Sequence, residues 1–309
     1  MAYNLKEQMS KPERFEAGHR LCAGCGAGIT CRAMMRALNP EDKAVVCNAT
    51  SCLEVSSFQY PYTAWMDSYI HSAFENTSAV AAGVESAYKV LKRKGKIQDN
   101  FKILAIGGDG GTYDIGFQSL SGALERGHDF TYFCYDNEAY MNTGTQRSSA
   151  TPRFASATTT PAGRESVGKK QNQKDLTQIV VAHGSPYVAQ TTFWGNFKDF
   201  HEKAHKAIYT EGPTFVNVLC PCPRGWQYSA ELLPEICRLA VETCVWPLYE
   251  VENGEYHLTY MPKKKRPVEE FMKLQGRFRH CFKPGNEWTI EAAQQYVDEK
   301  WEELLAKCK

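Results

Sequence analysis

The stretch FKILAIGGDGG at residues 101–111 decides the fold, because it joins a short apolar run to a glycine-rich turn that carries one carboxylate. The apolar part, residues 101–107, predicts a buried strand. A helix is predicted at residues 115–126 and a second strand at residues 130–135. Because strands that are joined through a helix pair in parallel, this order predicts a βαβ unit.

The alternation of strands and helices continues on both sides of this unit. Further strands are predicted at residues 43–48, 187–193 and 214–220, and further helices at residues 74–91, 175–182 and 196–210. This order predicts an α/β fold with a doubly wound, mostly parallel sheet. We expect residues 1–230 to form one domain, because the Thr-, Ser- and Pro-rich stretch at 148–163 is too short to link independent domains.

The pattern changes beyond Cys222. Residues 245–260 predict a β-hairpin with its turn at Asn253–Gly254, a pair of residues that favours tight hairpin turns. Helices are predicted at residues 269–279 and 289–306, the second with an apolar face. We therefore expect residues 231–309 to form a C-terminal extension that packs on the core or on a partner.

The composition of the chain excludes several classes of protein. The chain has 309 residues, a formal net charge of +1 and a single short basic run at residues 263–266, so we expect no nucleic-acid partner. Residues 1–18 contain no apolar segment typical of a signal peptide, and no stretch approaches the roughly 20 apolar residues of a membrane span. We therefore predict a cytoplasmic protein with no membrane segment.

The cysteines indicate a metal centre. Twelve cysteines are present, and we expect them to be reduced, because disulfide frameworks belong to small secreted domains. Cys22, Cys25, Cys52 and Cys222 lie in three distant segments whose thiolates can converge on one centre. An iron–sulfur cluster and a structural zinc site both take thiolate ligands of this kind, and both interpretations are open on the spacing alone.

A site for a metal ion and a diphosphate is predicted at the end of the strand at residues 101–107. The glycines on both sides of Asp109 let a phosphate approach the backbone, and the next helix offers free N–H groups. The following strand ends in DNEAYMN at residues 136–142, where Asn137 and a nearby carbonyl can add the oxygen ligands that Mg²⁺ prefers. The alternative is a glycine-rich turn that only caps a helix, which leaves the second segment unexplained.

Five motifs in the chain together resemble a known family. They are CAGCG at residues 22–26, NATSC at 48–52, YPYTAW at 60–65, GDGGTYDIG at 108–116 and YDNEAYMNTG at 135–144. With these motifs the chain resembles the β subunits of pyruvate:ferredoxin oxidoreductases, also called pyruvate synthases, over most of residues 20–226. The resemblance implies a thiamine diphosphate-binding fold.

The resemblance also implies the cofactors and the partners. A subunit of this family carries one half-site for thiamine diphosphate, with Mg²⁺, and one [4Fe-4S] cluster. A separate α subunit supplies the pyrimidine half-site and the activating glutamate, and γ- and δ-type subunits or domains and ferredoxin are further partners. CoA and pyruvate are the implied substrates.

Matched position by position, the resemblance assigns the metal ligands. Cys22, Cys25, Cys52 and Cys222 are expected to hold the [4Fe-4S] cluster, and Asp109, Asn137 and the carbonyl of Ala139 are expected to hold Mg²⁺. Cys220 and Cys47 are rival ligands to Cys222 and Cys52. The sequence around Cys222 and Cys52 matches the family pattern better, so these two cysteines are the predicted ligands.

The same matching assigns the cofactor site. Its predicted members are Gly108, Asp109, Gly110, Gly111, Asn137, Ala139, Asn142, Ser51 and Cys52. Asn142 is expected near the thiazolium ring and the substrate, and Asn142 and Thr50 are the catalytic candidates. Thr50 and Ser51 are predicted to hydrogen-bond the cofactor or the cluster sulfurs, and a polar turn after the strand is an equal alternative.

The implied activity is the thiamine diphosphate-dependent oxidative decarboxylation of pyruvate with CoA to acetyl-CoA and CO₂. The electrons pass through the cluster to ferredoxin, and the reaction is reversible. One alternative is the same chemistry on another 2-oxoacid or on oxalate. A different alternative is a non-catalytic iron–sulfur or zinc assembly subunit, against which the intact Asp109 and Asn137 argue.

Overall fold

The computed structural model describes residues 4–193 and 196–308, and its centre is an eight-stranded sheet. The strands of the chain are β1 (Lys43–Ala49), β2 (Phe58–Gln59), β3 (Tyr62–Thr63), β4 (Ser68–Ser72), β5 (Phe101–Gly108), β6 (Thr131–Asp136), β7 (Tyr187–Thr192), β8 (Thr214–Leu219), β9 (Tyr249–Glu252) and β10 (Glu255–Leu258). Their order in the sheet is β10-β9-β7-β8-β6-β5-β1-β4, and β2 pairs with β3 separately. Neighbouring strands of the sheet are parallel, except that β9 runs antiparallel to β7 and β10.

Helices cover both faces of this sheet. They are α1 (Leu5–Ser10), α2 (Gly26–Met35), α3 (Cys52–Ser57), α4 (Thr77–Arg93), α5 (Phe117–Glu125), α6 (Leu176–Val181), α7 (Phe197–Tyr209), α8 (Leu233–Glu242), α9 (Val268–Lys273) and α10 (Glu287–Lys307). A π-helical turn at Gly110–Ile115 precedes α5, and 3₁₀ segments lie at Ala230–Leu232 and Gly276–Phe282.

Alternate side chains of the central strands enter two separate cores. In β5, Ile103 and Ala105 pack in the core that also holds residues of α4, α5 and α10, whereas Leu104 and Ile106 pack in the core with α2 and α7. Successive residues of a strand face opposite sides of the sheet, so a strand covered on both faces must be apolar throughout. This requirement explains the unbroken apolar run that precedes the glycine-rich turn.

The predicted doubly wound, mostly parallel fold is confirmed. The edge strand β4 is not predicted from the sequence, because most of the residues of β4 are exposed and the strand lacks an apolar run. The helix predicted at residues 269–279 is wrong as a single element, since α9 ends at Lys273 and Gln275 is extended before the 3₁₀ segment begins. The side-chain amide of Gln275 donates to the carbonyl of Phe271, at 2.7 Å, and so stabilises this break.

The C-terminal extension shares the sheet and the core of the preceding domain. The predicted hairpin is confirmed as β9 and β10, with Asn253 and Gly254 in the left-handed conformation at its turn, and β9 pairs with β7. Helix α10 packs Val297, Trp301 and Leu304 into the same core as α6. The boundary between the two predicted domains, at residue 230, stays a prediction.

Across residues 4–193 and 196–308, every helix is too short or too polar to cross a lipid bilayer. The cytoplasmic location stays a prediction.

We expect the Trp301→Ala variant to lose about 3–5 kcal/mol of unfolding free energy, because it opens a cavity between α10 and the core. Trp301 is only 7% exposed. Urea unfolding followed by circular dichroism checks this loss, with Glu302→Ala on the exposed face of the same helix as the matched control, expected within about 0.5 kcal/mol of the wild type. Equal stability of the two variants would show that α10 does not stabilise the core.

Candidate functional site

The candidate site lies where β1 and β5 end, side by side, at the carboxyl edge of the sheet. The chain leaves β1 toward β4 on one side and leaves β5 toward β6 on the other. Such a change of direction opens a crevice in which α/β proteins commonly bind ligands. Residues 50–52, 108–111 and 139–143 line one cleft at this point, together with Phe74, Tyr135 and Asn137.

Asp109 is the buried centre of the cleft. Its side chain is inaccessible to solvent, one oxygen accepts the backbone N–H of Asn137 at 3.2 Å, and the other accepts the hydroxyl of Ser148 at 2.5 Å. Burial raises the pKa of Asp109 to about 7, and these two hydrogen bonds act in the opposite direction. A cation beside this carboxylate would replace the lost hydration and keep it charged.

The surroundings of the Asn137 side-chain amide show whether a cation could be bound beside Asp109. Its oxygen lies 2.9 Å from Oδ1 of Asp109 and 2.9 Å from the carbonyl oxygen of Ala139, so three acceptors meet without a donor. Adjacent oxygens around Mg²⁺, at ligand distances of about 2.0–2.1 Å, are roughly 2.9 Å apart in an octahedron. These distances fit an octahedral Mg²⁺ site with the amide oxygen as a ligand, and they equally fit a rotated Asn137 amide that donates to both oxygens.

The glycines of the turn are required by close packing. A Cβ at Gly110 would lie 2.5 Å from the ring of Tyr140, and a Cβ at Gly111 would lie 2.9 Å from the carbonyl oxygen of Phe74. The hydroxyl of Tyr140 donates to the carbonyl of Gly110 at 2.8 Å and fixes this contact. The π-helical turn that follows is a form that often occurs at functional sites. Sequence analysis does not single out Tyr140 or Ser148, which become neighbours of the turn only in the folded chain.

Thr50 and Ser51 lie on the wall of the cleft, and their hydroxyls already have partners. The hydroxyl of Thr50 is 2.8 Å from Nε2 of His71, and that of Ser51 donates to the carbonyl of Ala49 at 2.9 Å. His71 also lies 3.8 Å from the carboxylate of Glu54. Both hydroxyls retain lone pairs for a ligand, so their assignment to the cofactor stays a prediction.

Asn142 lies on the exposed side of the cleft, and the resemblance places it near the substrate. Its side chain is exposed, as is that of the neighbouring Thr143. The role assigned to Asn142 stays a prediction.

The four predicted cluster ligands come from three loops that the fold packs together. The backbone N–H of Gly26 donates to the carbonyl of Pro221 at 3.2 Å, which joins the loop of Cys25 to the loop of Cys222. Gly24 adopts a φ of +73°, and a Cβ there would lie 2.7 Å from Ala230. A larger residue at Gly24 would therefore clash with Ala230 at the start of the 3₁₀ segment Ala230–Leu232.

The four cysteines are close enough to affect one another's ionisation. Burial and, to a smaller extent, Cys222, Cys25 and Cys22 raise the pKa of Cys52 to about 12. Burial likewise raises the pKa of Cys25 to about 11, although the backbone N–H groups of Gly28 and Ala27 oppose this. A positive metal centre is what would hold such neighbouring thiolates deprotonated.

The described cysteines do not form a ready-made site for a single metal ion. Among residues 4–193 and 196–308, no three His, Cys, Asp or Glu side chains converge on a position for one ion. Four thiolates on a tetrahedral zinc lie about 3.8 Å apart, because each Zn–S bond is about 2.3 Å long. A [4Fe-4S] cubane binds each thiolate through a different iron and spreads them further, and the choice between zinc and this cluster stays a prediction.

The rival cysteines are buried in the hydrophobic cores. Cys220 is 1% exposed and its thiol donates to the hydroxyl of Thr30 at 3.3 Å. Cys47 is fully buried in β1. By contrast, Cys222 is partly exposed and accepts the N–H of Gly225 at 3.4 Å. These contacts favour Cys222 and Cys52 as ligands, and the ligand set stays a prediction.

The two predicted centres share a wall. Cys52 lines the cleft of Asp109 and is also one of the four interacting thiols. On the other side, the sulfur of Met141, a further residue of the cleft, packs against Gly225 in the loop of Cys222. A cofactor in the cleft and a cluster on these cysteines would therefore be neighbours.

Comparison with known proteins places these features in a family. The model for the C-terminal TPP-binding domain of thiamine pyrophosphate enzymes matches residues 45–218. The chain is 52% identical to pyruvate synthase subunit PorB of Methanocaldococcus jannaschii, over 95% of this chain and 97% of that one. It is 44% identical to ketoisovalerate oxidoreductase subunit VorB of Pyrococcus furiosus, over 97% and 96% of the two chains.

A solved structure is similar as well. It is a 2-oxoglutarate:ferredoxin oxidoreductase from Magnetococcus marinus with 2-oxoglutarate, coenzyme A and succinyl-CoA bound. The TM-score is 0.57 at 25% identity, and the match covers 72% of this chain and 69% of the other.

We expect the Asp109→Asn variant to bind Mg²⁺ more than about tenfold more weakly in the presence of thiamine diphosphate, because it removes the charged oxygen ligand. Isothermal titration of the metal-depleted complex measures this affinity. Asp99→Asn, a change at an exposed surface ion pair, is the control and should bind as the wild type does. Unchanged affinity in Asp109→Asn would rule out this carboxylate as a ligand.

A matched pair of variants tests the cysteine assignment. Cys222→Ser should lose most of the iron from the anaerobically purified complex, since a serine hydroxyl is a poor ligand for the cluster. Cys220→Ser, two residues away, should keep its iron because that thiol is buried against Thr30. Iron analysis and the visible absorption spectrum give the result, and the reverse pattern would make Cys220 the ligand.

Proposed function

Because the chain belongs to the thiamine pyrophosphate enzymes and, among them, to the PorB-type subunits of the 2-oxoacid:ferredoxin oxidoreductases, we propose that it is the β subunit of pyruvate:ferredoxin oxidoreductase. The family predicted from the sequence motifs is thereby confirmed, as is an enzyme made of several different subunits. The proposed reaction is the reversible conversion of pyruvate and CoA to acetyl-CoA and CO₂, with electrons passed to ferredoxin.

The cation site is the first part of the proposed machinery. Asp109, Asn137 and the carbonyl of Ala139 hold Mg²⁺, which in turn anchors the diphosphate of thiamine diphosphate. The glycine-rich turn lets the diphosphate approach the backbone. When bound, thiamine diphosphate supplies a nucleophilic carbon and an electron sink for the loss of CO₂ from a 2-oxoacid.

The α subunit completes the cofactor site in this proposal. Among the described residues that line the cleft, Asp109 is the only carboxylate, and it is committed to the cation. The glutamate that activates the cofactor must therefore come from outside this cleft. Asn142 and Thr143 are exposed at its edge, where an α subunit that carries the pyrimidine half-site would cover them.

In this proposal the cluster accepts the electrons from the cofactor site. We propose that Cys22, Cys25, Cys52 and Cys222 hold one [4Fe-4S] cluster beside the cofactor. Cys22 is exposed, whereas the other three are partly buried, so one side of the cluster is close to the protein surface. Electrons would leave there for γ- and δ-type subunits or domains and then for ferredoxin.

The choice of pyruvate depends on the names of the relatives. Relatives that are 46–52% identical over at least 91% of this chain are named pyruvate synthase subunits. The VorB relative, at 44%, is close enough that a branched 2-oxoacid is the second candidate. This similarity to pyruvate synthases is the observation that carries the proposal.

The copurified complex should reduce ferredoxin or methyl viologen fastest with pyruvate and CoA. The experiment compares kcat/KM for pyruvate, 2-oxoglutarate, 3-methyl-2-oxobutanoate and oxalate under anaerobic conditions. A higher kcat/KM with 3-methyl-2-oxobutanoate would assign the VorB-type activity instead. A complex that contains iron or zinc, binds no thiamine diphosphate and is inactive with every acid would support the non-catalytic alternative.

A further inference from the structure

Arg277 is a buried cation in the C-terminal extension. It lies in the 3₁₀ segment Gly276–Phe282, and its side chain is 3% exposed. The guanidinium donates to the carboxylate of Glu138 at 2.5 Å, and the Glu138 side chain is 1% exposed. Nε of Arg277 donates to the side-chain oxygen of Gln275 at 2.8 Å. A buried ion pair is a weak source of stability, so its presence requires another explanation.

One end of this pair lies in residues 136–139, the proposed magnesium-binding loop. Glu138 lies between the proposed ligands Asn137 and Ala139, with a φ of +64°, a conformation that a residue with a side chain rarely adopts. Its backbone N–H donates to Asp136 at 2.9 Å. The ion pair with Arg277 holds the side chain of Glu138 and so restrains the backbone between Asn137 and Ala139.

The other end reaches the loop of the proposed cluster ligand Cys222. The guanidinium carbon of Arg277 lies 3.8 Å from the centroid of the Trp226 ring, stacked as a cation on an aromatic face. The backbone N–H of Trp226 donates to the carbonyl of Cys222 at 2.9 Å. The indole N–H of Trp226 donates to the carbonyl of Asn137 at 2.8 Å. Arg277 and Trp226 therefore form one packed unit between the two loops.

The charge of Arg277 also acts on Cys222. Arg277 is stacked on Trp226, whose backbone is hydrogen-bonded to Cys222, so its positive charge lies near the proposed cluster. A cation that favours a thiolate at this position also favours a more negative, reduced cluster, whereas the carboxylate of Glu138 partly cancels it.

From these contacts we propose that Arg277 is a positioning residue. It joins the magnesium-binding loop to the loop of Cys222, residues 220–226, and it tunes the reduction potential of the cluster. The inference rests on the function proposed above. It gives the C-terminal extension a role in the chemistry of the complex, in addition to its packing on the sheet.

The test uses the reconstituted complex with two variants, Arg277→Gln and Glu138→Gln. Each should weaken Mg²⁺ binding in the presence of thiamine diphosphate by about 10–100-fold, the usual effect of losing a group that orients metal ligands. Their effects on the midpoint potential of the cluster should have opposite signs. Loss of the Arg277 cation should lower the potential, and loss of the Glu138 carboxylate should raise it. A potentiometric titration followed by electron paramagnetic resonance measures the shift.

Two further variants separate charge from geometry. Arg277→Lys keeps the charge but cannot stack flat on Trp226 while bonding both Glu138 and Gln275, so it should keep the potential near the wild-type value and restore Mg²⁺ affinity only in part. Arg279→Gln, at an exposed position of the same 3₁₀ segment, should change neither quantity.

Several outcomes would overturn the inference. Lower melting temperatures with unchanged Mg²⁺ affinity and unchanged potential would make Arg277 a purely structural residue. Potential shifts of the same sign in both variants would indicate general loosening of the protein. Should Arg277→Gln fail to fold, Glu138→Gln and Arg277→Lys decide the question by the same two measurements. A wild-type complex without iron or without bound thiamine diphosphate would instead refute the proposed function itself.

Discussion

The site depends on one constraint, which is the complete burial of the carboxylate of Asp109 at the end of β5. A buried carboxylate keeps its charge only when hydrogen bonds or a cation replace the water that it has lost. The fold supplies hydrogen bonds from Ser148 and from the backbone of Asn137. It also places the side-chain amide of Asn137 2.9 Å from Asp109 and from the carbonyl oxygen of Ala139. A divalent cation would be a further partner for the Asp109 carboxylate.

The parallel sheet explains why the predicted cluster ligands lie beside the cleft of Asp109. Neighbouring strands are about 4.8 Å apart, so residues that follow them are close in space, however far apart they are in the chain. Cys52 follows β1 and Asp109 follows β5, the adjacent strand. Cys222 follows β8, which lies beyond β6 in the same sheet. The segments that carry the predicted cluster ligands therefore come close to the cleft of Asp109.

Some parts of the site could be predicted because their signal is local. The glycine-rich turn around Asp109 and the segment after β6 each follow an apolar strand, and parallel strands bring such segments to one edge. Other parts had no local signal. Ser148 comes from a polar loop and Arg277 from a segment expected to be one helix, and both reach the site only because distant elements pack there. The edge strand β4 was missed because its exposure hides its periodicity.

The sequence by itself determined the doubly wound fold and the family, because strand periodicity and short motifs are properties of neighbouring residues. The cation-binding residues that it predicts stay a prediction. Only the tertiary structure decided which cysteines lie together. Cys220 and Cys222 are two residues apart in the chain, yet one thiol is buried against Thr30 and the other is partly exposed beside the loop of Cys25. The tertiary structure also linked Arg277 to both centres. Contacts of this kind depend on the packing of segments far apart in the chain, which no local pattern records.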